Sequence, residues 1–296
     1  MIKGLVSCVI PSYKRCDTVT RAIDSVLAQT YKDIEVCLVD DNVPGDAYSE
    51  KLQEALEKYK GDNRVRYIAQ EKHINGAVAR NIGIKAASGE YVAFLDDDDE
   101  WHPQKIEKQV ALLKQNGNKG GVSCLYSLAS NGVCRRKCPP YSSDNLQYKI
   151  LARQVAIYTS TFLCVKEALI NSGAFNESLV RHQDLQMFAD FLRNNTIFVL
   201  NEYCVTIHTD SSINRPDTDK LISVKKKFFE SVSSCLIRYS KKEKKLISSA
   251  HYFEIVFSAV KEKKYTTVLK YLLKIGISPL SYYDLYLRYT KRKYNK

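Results

Sequence analysis

Over the first hundred positions, short apolar runs alternate with segments in which apolar residues recur every third or fourth place. Residues 5–10, 34–39 and 91–95 are near-continuous apolar runs, the pattern of strands covered on both faces of a sheet. Residues 64–69 add a weaker strand between the last two. Between them lie helical patterns: 16–29 through Val19, Ala22, Ile23, Val26 and Leu27, then 47–59, then a helix opened by Asn75-Gly76 and closed by Ser88-Gly89. A strand–helix alternation of this kind predicts a doubly wound, parallel α/β sheet. Beyond it the pattern predicts a helix at 104–115, a hairpin about Asn131-Gly132, a short helix at 148–154, a strand at 161–165 and a helix at 166–172. A helix running to Arg193 and strands at 198–200 and 203–207 follow. From residue 217 only helical periodicity remains, at 221–239, 242–260, 265–275 and 281–289.

The strand ends carry the chemistry. Pro11-Ser12-Tyr13, Asp40-Asp41-Asn42 and Asp96-Asp97-Asp98-Asp99 each follow an apolar run. In a parallel sheet all three would face one rim, where open α/β sheets bind ligands. Four successive carboxylates repel one another unless a positive group lies among them. A hard divalent cation with a substrate diphosphate answers that need. Acidic residues also collect before helices, and Pro103 suits a first helical turn; that accounts for Asp99 and Glu100 better than for Asp96 to Asp98. No G-x-G-x-x-G follows the first strand and no G-x-x-x-x-G-K-[ST] occurs, which argues against a dinucleotide site and a P-loop.

Charge separates the chain into two parts. Residues 1–216 hold 26 basic and 26 acidic residues, whereas residues 217–296 hold 19 and 7, so the whole net charge of +12 lies in the last eighty positions. That division sets a domain of 1–216 against a basic helical extension of 217–296. The extension has clusters such as Lys225-Lys226-Lys227 and Lys241-Lys242. It reads either as a helical cap with solvated lysines or as an attachment to an anionic membrane face. No nucleic-acid motif accompanies it, so nucleic acid is not an expected partner. No apolar run reaches eighteen residues and no signal-peptide pattern opens the chain. Nine cysteines at mostly apolar positions suit free thiols in a cytoplasm; Cys134 and Cys138 form only a lone C-x3-C pair, weak as a zinc motif.

The segments V-S-C-V-I-P-S-Y, S-V-L-A-Q-T-Y-K-D-I-E-V-C-L-V-D-D-N, G-A-V-A-R-N-I-G-I, S-G-E-Y-V-A-F-L-D-D-D-D-E-W-H-P-Q-K-I-E-K-Q and H-Q-D-L-Q-M-F stand in register over about residues 5–210. Together they resemble the family 2 glycosyltransferases of GT-A fold, with a Rossmann-like, mostly parallel sheet. The resemblance implies inverting sugar transfer from a UDP-sugar, with Mg²⁺ or Mn²⁺, to a saccharide or lipid-linked saccharide of a surface polysaccharide. The family's D-x-D falls on Asp96-Asp97-Asp98, with Asp98 and His208 implied as metal contacts. Pro11, Tyr13 and Asp41 would frame the uracil, Arg80 would lie near the donor, and Asp184 would be the general base. Trp101 would stack on the acceptor or anchor a helix start, and Arg215 would reach the phosphates. The family's usual Glu before that Asp is Gln183 here. This departure keeps open a non-catalytic sugar-nucleotide or membrane-binding module. A sugar nucleotidyltransferase is a further alternative, but Pro-Ser-Tyr-Lys-Arg after the first strand lacks the glycine-rich loop it would need. The resemblance places the enzyme in the cytoplasm, with the basic extension as a peripheral contact to the inner membrane face.

Overall fold

The computed structural model describes residues 1–210 and 216–276; the helix expected at 281–289, together with Ser211, Ser212 and Arg215, lies outside the described residues. The expected alternation is present as β1 (Ile2–Ser12), α1 (Cys16–Leu27), β2 (Ile34–Asp40), α2 (Ala47–Leu56), β3 (Val65–Ala69), α3 (Gly76–Ala86) and β4 (Gly89–Phe94). There follow β5 (Glu100–Trp101), α4 (Lys105–Gln115), β6 (Gly121–Ser130), β7 (Val133–Lys137), α5 (Leu146–Leu151), β8 (Phe162–Val165), α6 (Lys166–Asn171), α7 (Gln183–Phe191) and β9 (Ile197–His208). The last described elements are helical: α8 (Thr218–Ser231), α9 (Ser233–Leu236), α10 (Lys241–Lys261) and α11 (Tyr265–Ile275).

One sheet of nine strands runs β3-β2-β1-β4-β8-β6-β9-β5, with β7 paired to β6. β3, β2, β1 and β4 are mutually parallel. β8 then runs antiparallel to both β4 and β6, while β6 and β9 are parallel to each other. The chain leaves β1 toward β2 and β3 and returns on its other side as β4, so the crevice between β1 and β4 is the topological switch point where such sheets bind ligands. Two strands expected at 198–200 and 203–207 are one. Leu200 pairs with Cys124 and Tyr203 with Leu125, so exposed Asn201 and Glu202 bulge out between them. β5 was not foreseen, because two residues carry no periodicity.

Alternation along β1 divides the core. Val6, Cys8 and Ile10 join Val19, Ile23 and Val26 of α1 on one face, while Val9 joins Ala77 and Ile84 of α3 on the other. α3 lies close to the sheet because position 83 is glycine: a Cβ there would stand 2.3 Å from Val9 Cγ1. Asn75 caps α3, accepting from the N–H groups of Ala77 and Val78. The C-terminal helices share the second core. Phe228, Val232, Cys235 and Ile247 are buried in the cluster that holds Phe162, Phe188 and Phe191. Packing is therefore part of what this basic segment does. Among the described residues no helix is long and apolar enough to cross a membrane, and all nine cysteines are free.

Candidate active site

β4 ends at Phe94 and delivers Asp96 to Asp99 into the crevice beside β1. Each carboxylate has different company. Arg80 of α3 donates to Asp96 at 2.5 Å, and the Asp96 N–H donates to Ser160 Oγ at 3.2 Å. Arg15, just past β1, pairs with Asp97 at 3.2 Å and with Asp98, and Arg21 of α1 donates to the Asp98 carbonyl at 2.5 Å. Asp99 is structural: it accepts from Ser160 Oγ at 2.5 Å and from the His208 N–H at 3.2 Å, tying the loop to β9. Burial pushes Asp97 up to about 7, against the pull of Arg15, with Asp98 and Asp96 adding repulsion. Asp99 is likewise raised by burial first and by Asp96 next. Among the described residues, Arg15, Arg21 and Arg80 are the cations that meet this rim.

Pro11, Tyr13 and Asp41 lie together at the ends of β1 and β2. Asp41 is buried and accepts from Gln70 Nε2 at 2.9 Å and from the Ile74 N–H at 3.4 Å, with His73 Nδ1 3.1 Å away. Tyr13 stacks on His73, ring centres 3.8 Å apart and planes at 12°. A flat aromatic shelf beside a carboxylate suits a planar base with N–H groups.

Asp184 lies in the first turn of α7, and His182 rather than Asp184 occupies the cap position, in a left-handed conformation. Asp184 therefore does not cap α7. Gln183 donates from Nε2 to the Leu179 carbonyl at 2.7 Å and faces Asn75 Oδ1 at 3.5 Å. Its missing charge is replaced by a tether between α7 and the start of α3, the helix that carries Arg80. Burial, then Asp184, pushes the Tyr158 phenol up, and Asp99 adds to this; one hydroxyl therefore feels both ends of the site. The run Gly173 to Glu177 closes the wall. Phe175 packs edge-on against Phe94 at 5.4 Å, and Asn81 Nδ2 donates to the Phe175 carbonyl and to Glu177 Oε1, both at 2.8 Å.

Trp101 does not reach an acceptor. It is buried in β5, donates from Nε1 to the Ser160 carbonyl at 2.8 Å and carries Lys105 Nζ over its ring at 3.8 Å. It is a core anchor, because β5 turns it inward under the loop. Sequence reasoning missed Arg15, Arg21, Tyr158 and Ser160. The basic pair Lys14-Arg15 after β1 was a readable signal, since a rim of four carboxylates needs cations nearby.

The donor set suits a divalent cation and a diphosphate in chemistry. Among the described residues no three His, Cys, Asp or Glu side chains are gathered as ligands; the carboxylates face arginines instead. Yet His208 Nε2, Arg80 Nε and Arg21 Nε are buried without a hydrogen-bond partner, and buried polar atoms are seldom left so. Such polar atoms beside desolvated carboxylates fit a divalent cation and phosphate groups in chemistry.

Comparison with known proteins accords with this geometry. Residues 7–178 match the model of glycosyl transferase family 2. The amylovoran biosynthesis glycosyltransferase AmsB of Erwinia amylovora is 30% identical over 190 residues, 61% of this chain and 62% of that one. The Escherichia coli UDP-Glc:α-D-GlcNAc-diphosphoundecaprenol β-1,3-glucosyltransferase WfgD is 28% identical over 201 residues, 67% of this chain and 73% of its own length. The aligned part thus spans less than two thirds of AmsB. The Staphylococcus aureus TarS fragment 1–349, solved with UDP-GlcNAc, superposes with a TM-score of 0.66 at 16% identity over 90% of this chain and 79% of that one. That likeness is of fold, and the fold is GT-A.

Proposed function

Because the chain belongs to glycosyl transferase family 2, we propose that it transfers a sugar from a UDP-sugar to an acceptor hydroxyl, with inversion at the anomeric carbon. The observation that carries this reading is the meeting of three strand ends and the start of α7 at one crevice. Asp41 and Tyr13 take the uracil, Pro11 shapes that pocket, and Arg80, Asp96 and Asp97 lie at the donor, with Arg80 paired to Asp96. Asp98 and His208 would hold Mg²⁺ or Mn²⁺, which when bound supplies charge stabilisation for the departing UDP. Asp184 accepts the proton of the attacking hydroxyl. The acceptor is a saccharide or lipid-linked saccharide of a surface polysaccharide; WfgD, whose name gives a diphosphoundecaprenol-linked acceptor, supports that class. Residues 1–216 form the catalytic unit; helices α8 to α10 of the basic segment pack on it, and the basic residues 217–296 attach the protein to an anionic membrane on its cytoplasmic side.

The test is UDP release from a panel of UDP-sugars with lipid-linked acceptors, with and without chelator, in the full-length protein and in Asp184→Asn. The substitution lowers turnover about 10²- to 10⁴-fold and leaves UDP affinity within about twofold. Full activity in Asp184→Asn would remove the base from the scheme, and a protein that binds no UDP-sugar would end the reading altogether.

A further inference from the structure

The last two described helices form a hairpin in which α11 has two apolar sides. On one side, Tyr271 and Ile275 are buried against Phe253, Ile255 and Val256 of α10, with Val268 and Leu272 packed beside them. The other side has no such cover. Tyr265, Leu269 and Leu273 recur every fourth residue, which sets them along one stripe of the helix. Phe257 and Val260 stand near the end of α10, where the chain turns into α11. These five side chains are between 50% and 73% exposed. Sixteen large apolar side chains are exposed among the described residues, and these twenty positions, 257–276, hold five of them. Single exposed apolar residues are ordinary on a protein surface; a concentration of them marks a contact.

The same positions are basic. Residues 257–276 hold five lysines and one acidic residue, Glu262. Glu262 is engaged within the protein: it accepts from the Thr218 N–H at 2.8 Å and pairs with Lys264 at 2.9 Å. Lys264 pairs also with Asp219 at 2.8 Å, so the turn of the hairpin is tied to the start of α8. Lys261, Lys263 and Lys270 are exposed. Lys270 and Lys274 each follow a leucine of the stripe, so they border it on one side. The sequence continues in kind, since residues 277–296 hold five basic residues, one acidic residue and five tyrosines. A second copy of this chain suits the face poorly: a two-fold contact sets one patch against itself, and here that brings lysines to lysines. An anionic lipid surface suits it in both respects. Leucine and phenylalanine enter the boundary of headgroups and acyl chains, tyrosine sits at its wet edge, and lysines meet the headgroups.

We propose that the exposed side of the α10–α11 hairpin, led by Tyr265, Leu269 and Leu273, is the surface that enters the interface of an anionic membrane. This rests on the membrane attachment read above for residues 217–296 and narrows it: the contact lies on one hairpin, and apolar burial holds it as well as charge. The lysine run on α8 takes no part. Lys225 is buried and pairs with Glu254, and Lys226 lies 4.0 Å from Glu230. The hairpin is also joined to the catalytic unit. Ile247 of α10 is in the core with Phe162 and Phe188, and Glu254 pairs with Arg153 at 3.0 Å. An inserted hairpin therefore holds the catalytic unit at the lipid surface, where a lipid-linked acceptor presents its saccharide.

The test is co-sedimentation of the full-length protein with vesicles of phosphatidylcholine and phosphatidylglycerol in equal parts. The protein sediments with them, and part of the binding survives a rise in salt from about 0.1 M to about 0.5 M, because salt screens lysines but not buried side chains. The double variant Leu269→Ser with Leu273→Ser binds about tenfold more weakly or worse at the higher salt, with Tm unchanged. Lys226→Gln with Lys227→Gln changes binding less than about twofold, since neither lysine meets the lipid. Undiminished binding in the serine variant overturns this face and leaves the wider membrane reading in place. A wild-type protein that ignores the vesicles overturns both. Two further results count against the proposal: a lower Tm in the serine variant would mean that the chain itself covers the stripe, and a change from dimer to monomer in light scattering would mean that a second copy does.

Discussion

At the ends of β1 and β4, burial acts on carboxylates; behind α7, it acts on a lysine. The first region has Asp96 to Asp99 against Arg15, Arg21 and Arg80. The second has Arg153 and Lys225 on Glu254, with His251 accepting from Lys225. In both, burial holds key groups away from full ionisation: Asp97 rises to about 7, and Lys225 falls to about 8 with burial the largest cause. The two imbalances therefore have opposite signs: burial keeps a proton on a carboxylate in the first region and drives one off an amine in the second.

The comparison breaks most easily if the basic region belongs to a separately folded appendage. Phe228, fully buried, is the side chain that joins α8 to the core of Phe162 and Phe188 and also walls in His182. Phe228→Ala should cost about 3–5 kcal/mol, a fall in Tm on the order of ten degrees for a chain of this size. A single cooperative transition shifted that far, by calorimetry, makes both regions parts of one unit. An unchanged main transition with a small early one would separate them.

The two regions also differ in how far the sequence discloses them. The acidic rim follows from local pattern: parallel strands are continuous apolar runs, and the residues just past them must face one edge. Asn75 and Gly83 are equally local, one a cap and the other a close approach. The basic region is assembled from α5, α7, α8 and α10, whose contacts span about a hundred positions. Lys225 stands in a run with Lys226 and Lys227 that reads as solvated, yet Lys225 is 2% exposed and Lys226 lies open. Periodicity assigns a helix face; it does not say which of three adjacent lysines meets the carboxylate of Glu254 on another helix. Trp101 could be read two ways for a related reason, since β5 is two residues long and only its pairing with Thr206 and Val205 turns the indole inward as a core anchor.

A finer test uses pH, because the two imbalances have opposite signs. The folded pKa of Asp97 lies above its unfolded value of 3.8, so the folded state holds a proton that the unfolded state has lost. Stability then falls as pH rises from about 4 to about 7. Asp97→Asn removes that slope and raises Tm above pH 7 by a few degrees, while weakening the rim's hold on a divalent cation. Thermal melts at steps of half a pH unit, without metal, decide it. An unchanged slope in Asp97→Asn would mean that Arg15 already satisfies this carboxylate.

Lys225 gives the mirror image and the smaller effect. Its folded pKa of about 8 lies below the usual 10.5, so between those values the unfolded state binds the extra proton. Stability from this group is lowest below pH 8 and recovers as pH climbs toward 10.5. Lys225→Met keeps the buried stem and removes the charge. Glu254 still has Arg153 at 3.0 Å, which limits the harm of losing one partner, although His251 Nδ1 is left without its donor. The expected result is a melt curve that no longer rises between pH 8 and 10, displaced by about 1–2 kcal/mol at neutral pH. If the rise persists in Lys225→Met, other buried groups on the helices set it, and the opposition between the two regions would lie in their geometry and not in their charge.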